Sequence, residues 1–355
     1  MNRLKRLKSS LRRSERLPYL ITGLLNIRYL TGFTGSHAIL LLTPGKTFFI
    51  SDSRYEEYAR ASLPSSVSFA LQKGDVIPLL KDILKEGGLR RLYIDNEGLL
   101  LHTFNTLKKK LRGIKLIPSD SAVTKMRLVK GEDEIALLRE AAAITDRCFS
   151  HIKNYIKPGM TEWEVSLEIE RFYKQNGCRK NSFDSIVASG PGSSMPHYET
   201  SMSKVITKGE PLLIDMGCVY EGYNSDLTRT LFVGEVDSET AEIYEIVRTA
   251  QMRAIHKIKS GVKVSAIDRQ ARGYIEDKGY GENFGHSLGH GLGLEVHESP
   301  AVKNSDEKLS AGMVITIEPG IYIPGKSGVR IEDMVLVGRN GADVLTKAAK
   351  DITVI

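Results

Sequence analysis

The sequence predicts two domains of different class, an α/β domain over residues 1–125 and a larger α+β domain over 132–355. Three observations carry this. Short β-rich runs alternate with helical patterns over the first 125 residues. From residue 132 onward, long amphipathic helices take over. Within that second stretch two strand pairs each carry two carboxylates, with a histidine-rich segment between them.

In chain order, the basic start (Arg3, Lys5, Arg6, Lys8, Arg12, Arg13, Arg16) places Leu4, Leu7 and Leu11 on one helical face. That pattern predicts an amphipathic surface helix, then a strand near Leu17–Ile21. Proline and glycine interrupt the short apolar run and no small-residue cleavage site follows, so a signal peptide is not expected. Strands are predicted at Ala38–Leu42, Thr47–Ile50, Arg91–Asp95 and Gly113–Pro118, and helices at Ser53–Ala61, Val76–Glu86 and His102–Leu111. A polar connector, Ser119–Gly131, leads to a helix whose face is Ile135, Leu138, Ala142, Thr145, Phe149 and Ile152. Thr161-Glu-Trp-Glu164 is a capping box that opens the next helix, ending at Asn176-Gly177. Two more helices are predicted at Ser238–Ile258 and Val264–Lys278. The second domain therefore reads as two halves, each a helix pair with a hairpin.

Composition excludes several classes. Hydrophobic content of 41% and charged content of 26% fit an ordinary globular protein. A net charge of +7 without aromatic interleaving predicts no nucleic-acid partner. No run approaches the ~20 apolar residues of a membrane span. Cys148, Cys178 and Cys218 are few, odd in number and widely spaced, which predicts a reducing, cytoplasmic setting.

The chemistry lies in the hairpins. Asp215 closes the apolar run Pro211–Ile214, and a β-rich run resumes after Asp226. If the two acids oppose each other, the turn centres between Tyr220 and Glu221, beside Gly222 and Asn224. The same construction on Glu318 and Glu332 centres on Gly325, inside Pro324-Gly-Lys-Ser-Gly328. Directly opposed side chains lie ~5 Å apart at Cβ, close enough to share metal ions. Buried-looking ionised carboxylates demand a partner or a metal. Arg229 and Arg330 can neutralise at most half of this charge. Three of the chain's eight histidines fall within His286–His297, and His290 sits on glycine-rich backbone. Oxygen ligands with one imidazole and no thiolate favour Mn²⁺, Co²⁺, Fe²⁺ or Zn²⁺.

These residues closely resemble the Xaa-Pro aminopeptidase and Xaa-Pro dipeptidase (prolidase) family of pita-bread metallopeptidases. The carrying motifs are Asp215…Ser-Asp226-Leu-Thr-Arg-Thr, His286-x-x-Gly-His290-Gly-x-Gly, Ile317-Glu318-Pro-Gly-x-Tyr322 and Arg330-x-Glu332-Asp. Asn26–Ser36 and Asp52-Ser-Arg-Tyr55 resemble that family's first domain. The resemblance implies an α/β creatinase-like N-terminal domain and an α+β pita-bread (creatinase/aminopeptidase) catalytic domain. It implies two divalent ions per subunit, Mn²⁺ or Co²⁺ foremost. Asp215 holds one ion through both oxygens, His290 and Glu318 hold the other, and Asp226 and Glu332 bridge them. A water between the ions serves as nucleophile, and Glu318 passes its proton to the leaving nitrogen. His197 and His297 are expected at the scissile carbonyl and the proline side, His286 in support, and Tyr322 and Arg330 along the cleft.

The expected activity is hydrolysis of the N-terminal Xaa-Pro bond of peptides, with Xaa-Pro dipeptidase as the alternative and a metal-free binding module of the same fold less favoured. Relatives of that last kind lack ligand residues, whereas here all five are matched. Methionine aminopeptidase lacks the first domain, and creatinase lacks the metal ligands. A homodimer is implied by the resemblance.

Overall fold

The computed structural model describes residues 3–355 and contains two compact units, Met1–Arg127 and Leu128–Ile355. The first unit contains helices α1 (Arg3–Arg13), α2 (Leu24–Thr31), α3 (Glu56–Ser62), α4 (Val76–Glu86), α5 (Leu101–Lys110) and α6 (Ala122–Arg127). Its strands are β1 (Tyr19–Ile21), β2 (Ile39–Leu42), β3 (Thr47–Ser51), β4 (Ser68–Leu71), β5 (Arg91–Asp95) and β6 (Lys115–Ser119). They form one sheet in the order β4-β3-β2-β1-β5-β6, parallel at both ends and antiparallel between β1, β2 and β3. Ile77, Leu80 and Leu84 of α4 and Leu107 of α5 bury against Leu20, Leu41, Ile50, Leu92 and Ile94 of the sheet. Leu4, Leu7 and Leu11 of α1 are buried, as their spacing predicts.

Two helices of this unit differ from the sequence expectation. Helix α2 follows β1 after only Thr22 and Gly23, and its eight residues are too few for the change of period to show. Helix α6 lies within the stretch expected to be a polar connector, and its six residues are too few for a helical periodicity to show.

The second unit contains α7 (Glu132–Tyr155), α8 (Glu162–Gln175), α9 (Ser238–Lys257) and α10 (Val264–Asp277). Thr161 and Glu164 form the expected capping box of α8. The strands before α9 are β7 (Lys180–Asn181), β8 (Ile186–Ser189), β9 (Pro211–Met216), β10 (Cys218–Tyr220), β11 (Tyr223–Asn224) and β12 (Leu227–Phe232). After α10 come β13 (Gly289–Gly291), β14 (Glu298–Val302), β15 (Val314–Ile317), β16 (Gly320–Ile323), β17 (Ser327–Arg330), β18 (Asp333–Val337) and β19 (Ala342–Val344).

Two cores match the two halves read from sequence. In one, α7 and α8 pack through Ile144, Phe149, Val165 and Ile169 onto Leu212, Ile214, Leu227 and Leu231. In the other, α9 and α10 pack through Val247, Ala250, Ile267 and Ala271 onto Ile315, Ile317, Ile321, Val329 and Val335. Strand side chains alternate between faces. The even-numbered positions of β15–β18 and the Asp215 face of β9 are therefore left to point away from the helices.

Register decides how the acids meet. Along β9 and β12, Asp215 pairs with Thr228 rather than with Asp226. The turn is Glu221-Gly222, at φ 46° and 92°, one residue beyond the predicted centre. Positive φ at both central residues is the primed hairpin turn that matches strand twist. Asp226 is two residues from Thr228, so it shares the Asp215 face but stands diagonally. In the second hairpin Ile317 pairs with Asp333 and Gly320 with Arg330, a register that places Glu318 opposite Glu332 about Gly325 as predicted.

Candidate active site and metal centre

The residues facing away from both cores enclose a cleft of about 660 Å³. All five acids and histidines predicted as ligands line it: Asp215, Asp226, His290, Glu318 and Glu332. Ligand atoms of Asp226, His290 and Glu332 lie within 4.8 Å of one another. His290 Nε2 stands 3.6 Å from Asp226 Oδ2 and 3.5 Å from Glu318 Oε1.

His290 is fixed by its glycine neighbours. A Cβ on Gly289 would stand 2.0 Å from the Thr316 carbonyl, and one on Gly291 would stand 2.3 Å from that of Ser299. Only glycine admits this approach. Nδ1 donates to the Gly291 carbonyl at 3.0 Å, so Nε2 carries the lone pair facing the acids. Burial lowers the His290 pKa to about 4, which keeps the ring neutral, as a ligand must be.

The acids are held by hydroxyls and one guanidinium. Thr228 donates to Glu332 at 2.6 Å, and Thr316 donates to Glu318 at 3.3 Å. Arg330 Nη2 donates to Asp215 Oδ2 at 2.6 Å. Asp215 Oδ1 is buried with no hydrogen-bond partner. Burial, then the charge of Glu332, Asp215 and Glu318, drives the Asp226 carboxyl well above its ordinary range. Burial and the charges of Glu318 and Asp215 do the same to Glu332, and burial foremost brings Glu318 to about 7. A buried acid cluster short of positive charge, a neutral imidazole and an orphaned carboxylate oxygen fit a divalent cation.

The predicted substrate residues split. His197, His286, His297 and Arg330 line the cleft. Tyr322 does not belong to the lining, a correction to the expectation. It is buried behind it, where its hydroxyl accepts from Arg330 Nη1 at 2.9 Å and faces His286 Nε2 at 3.0 Å. His286 Nδ1 lies 2.8 Å from the Ser287 carbonyl, so Nε2 accepts the tyrosine proton. The His297 ring meets the His290 ring edge to face, with centroids 4.5 Å apart.

Residues 136–339 match metallopeptidase family M24, and residues 3–129 match the Creatinase/Prolidase N-terminal domain. The chain belongs to metallopeptidase family M24. This M24 chain is therefore a peptidase hydrolase with a pita-bread catalytic domain. It is 39% identical to the Xaa-Pro dipeptidase of Pyrococcus furiosus over 331 residues, 92% of each chain. The solved structure of the Xaa-Pro dipeptidase from Bacillus anthracis is 40% identical and superposes with a TM-score of 0.95 over 99% of both chains. That of the X-Pro aminopeptidase from Thermotoga maritima MSB8 is 38% identical, with a TM-score of 0.89 over 97% of this chain and 100% of the other. M24 metallopeptidases use divalent metals, in keeping with the donor set above.

Several residues of this site escape sequence reasoning. Thr316 and Thr228 were findable, each standing two positions from an acid on the same strand face. Gln251 of α9 was not: its amide donates to the carbonyls of Ile317 and Ile331 where the ladder breaks beside Glu318 and Glu332.

Proposed function

We propose that the protein is a Xaa-Pro aminopeptidase, removing the N-terminal residue from peptides with proline in second position. Two divalent ions, Mn²⁺ first with Co²⁺, Zn²⁺ and Fe²⁺ as alternatives, are held by Asp215, Asp226, His290, Glu318 and Glu332. When bound, they make a water acidic near neutral pH and polarise the scissile carbonyl.

The chain's own groups do the rest. His290 presents Nε2 and Asp215 presents its partnerless Oδ1 to the cations. Glu318 accepts the proton of the attacking water and delivers it to the proline nitrogen. Its Oε1 is held by Thr316, which leaves Oε2 for that proton. His197 and His297 line the walls from which N–H groups meet the substrate carbonyl and the proline side. The line from Arg330 through Tyr322 to His286 holds Arg330 and His286 in place along the cleft.

The observation that favours the aminopeptidase is the commitment of Arg330. It is the single Lys or Arg among the described lining residues. Its three side-chain nitrogens donate to Thr228, the Pro196 carbonyl, Tyr322 and Asp215. A strict dipeptidase must read the free carboxylate of its proline, and a cation is the natural reader. A longer peptide presents an uncharged amide there. The names of the Pyrococcus and Bacillus anthracis relatives favour the second reading, Xaa-Pro dipeptidase.

The test compares Xaa-Pro with Xaa-Pro-Xaa in Mn²⁺. Faster cleavage of the tripeptide is expected, and cleavage of the dipeptide alone overturns the first reading. Metal analysis should find about two divalent ions per chain. Asp226→Ala should lose both loading and hydrolysis, and normal cleavage by it refutes the dimetal site. A homodimer is part of the proposal, and sizing of the metal-loaded chain tests it.

A further inference from the structure

His297 stands on the turn between β13 and β14, and that turn is pinned from below. Gly293 at its tip accepts two hydrogen bonds at its carbonyl, from Asn224 N at 2.8 Å and Asn224 Nδ2 at 2.9 Å. At its other end Glu298, adjacent to His297, folds its carboxylate back under the turn. Oε1 accepts the Glu295 N–H at 3.3 Å, and Oε2 accepts Lys130 Nζ at 3.0 Å. The carboxylate so fills this space that a Cβ on Gly293 would lie 2.9 Å from it.

The Lys130 and Glu298 side chains are only 1% and 5% exposed. A buried ion pair adds little net stability over apolar residues of the same volume, because both charges give up water. What such a pair does supply is one fixed geometry. Lys130 is itself anchored: its N–H donates to the Gly312 carbonyl at 2.9 Å, and the next residue, Gly131, is the N-cap of α7. The ammonium thus ties the His297 turn to the start of the longest helix of the unit.

We infer that the buried Lys130–Glu298 pair is a positioning device that sets the His297 ring against His290 and the substrate. Lys130 is a positioning residue and touches no reacting atom. The inference rests on the peptidase reading, with His297 at the substrate.

The test uses the full-length Mn²⁺-loaded protein and the variants Lys130→Met, Lys130→Arg, His297→Ala and Lys130→Met/His297→Ala. Displacement of a substrate-positioning group by about 1 Å costs on the order of 10²-fold in rate, so Lys130→Met should lower kcat/KM on that order. Lys130→Arg should retain most of the activity. In the His297→Ala background the Lys130→Met change should cost nothing further, because its effect runs through the missing ring. Multiplying losses overturn the positioning role while leaving His297 in the mechanism. Wild-type kcat/KM in His297→Ala overturns the reading of His297, and the inference with it.

A second readout needs no turnover. In a spectrum of ring-labelled histidines, the His297 signal is assigned by its loss in His297→Ala. It should shift in metal-free Lys130→Met and hold in Lys130→Arg, while the signals of His37, His102, His151 and His256 stay in place. An unmoved His297 signal refutes the inference, and movement of all signals alike shows a structural role only.

Discussion

Replacing Arg229 with methionine removes the staple behind the acid cluster while keeping most of the apolar stem. The Arg229 guanidinium is 1% exposed and donates to Asp333 Oδ1 at 2.7 Å. It also donates to four backbone carbonyls: Thr228 at 2.9 Å, Glu332 at 2.6 Å, Ala348 at 2.7 Å and Ala349 at 3.0 Å. Breaking a buried pair from one side typically costs about 3–5 kcal/mol. Lys350 Nζ remains 2.8 Å from the same carboxylate, which argues for the lower end, but the carbonyls left without their donor push the sum back up. A loss of about 3 kcal/mol is a large share of a typical 5–15. For a unit of this size it amounts to a melting shift of roughly 6–12 °C.

The assay is built into the chain, because its single tryptophan, Trp163, lies in α8 of the second unit. Its emission reports unfolding of that unit alone. Arg229→Lys keeps a charge for Asp333 but cannot reach all four carbonyls, and should fall between wild type and Arg229→Met. Acid should separate the variants too. Burial raises the Asp333 carboxyl, but Arg229 and Lys350 outweigh it and hold the group below its ordinary value. Such a group contributes stability above its unfolded pKa of about 3.9 and loses it as pH falls through the folded value. Arg229→Met should therefore unfold in acid at higher pH than wild type. A melting shift under about 2 °C with an unchanged acid midpoint would refute this account of the staple.

Two further outcomes follow from the site. Asp226 and Glu332 are raised well above their ordinary values and Glu318 to about 7, so Mn²⁺ loading near pH 6 should release protons and tighten as pH rises. These folded values exceed the unfolded ones of about 4, so the metal-free chain should lose stability as pH climbs from about 4 through 7. Calorimetry in two buffers of different ionisation enthalpy reads the protons, and zero release sinks the raised pKa values. Gly289→Ala forces a Cβ to within 2.0 Å of the Thr316 carbonyl. It should destabilise by about 1–3 kcal/mol and weaken Mn²⁺ uptake through His290, and normal uptake would show that the backbone yields there.

What the sequence reveals and what it conceals divide along contact distance. The Glu318/Glu332 register was legible because Pro324-Gly325 fixes the turn, and Gly325 takes φ 71°. The Asp215/Asp226 register was missed by one residue because Glu221, a residue with no steric licence for it, adopts positive φ beside Gly222. The five predicted ligand positions converge despite that error, since diagonal neighbours on one face remain within reach. Lys130–Glu298 and Arg229–Asp333 left no trace in local pattern, because they join residues 168 and 104 positions apart. Tyr322 was placed one layer too far forward because its hydroxyl is claimed by Arg330 on the paired strand of its own hairpin and by His286, 36 positions away.

The staple and the cluster are consecutive residues, and the pleat accounts for it. Thr228 and Glu332 face the cleft and bond to each other there, while their neighbours Arg229 and Asp333 bond on the opposite face. The front pair includes an acid whose pKa burial drives up, and the back pair holds an acid that stays ionised. One alternation thus assigns adjacent carboxylates opposite tasks, the first to meet a cation from outside and the second to meet one from the chain. A slip of one residue in β12 or β18 would turn Arg229 or Asp333 into the cleft and drive Thr228 or Glu332 toward a helix-packed core. Register here is held by charge as well as by apolar burial. A variant that weakens Arg229–Asp333 should therefore disturb the ligands in front of it, even though neither residue faces the cleft.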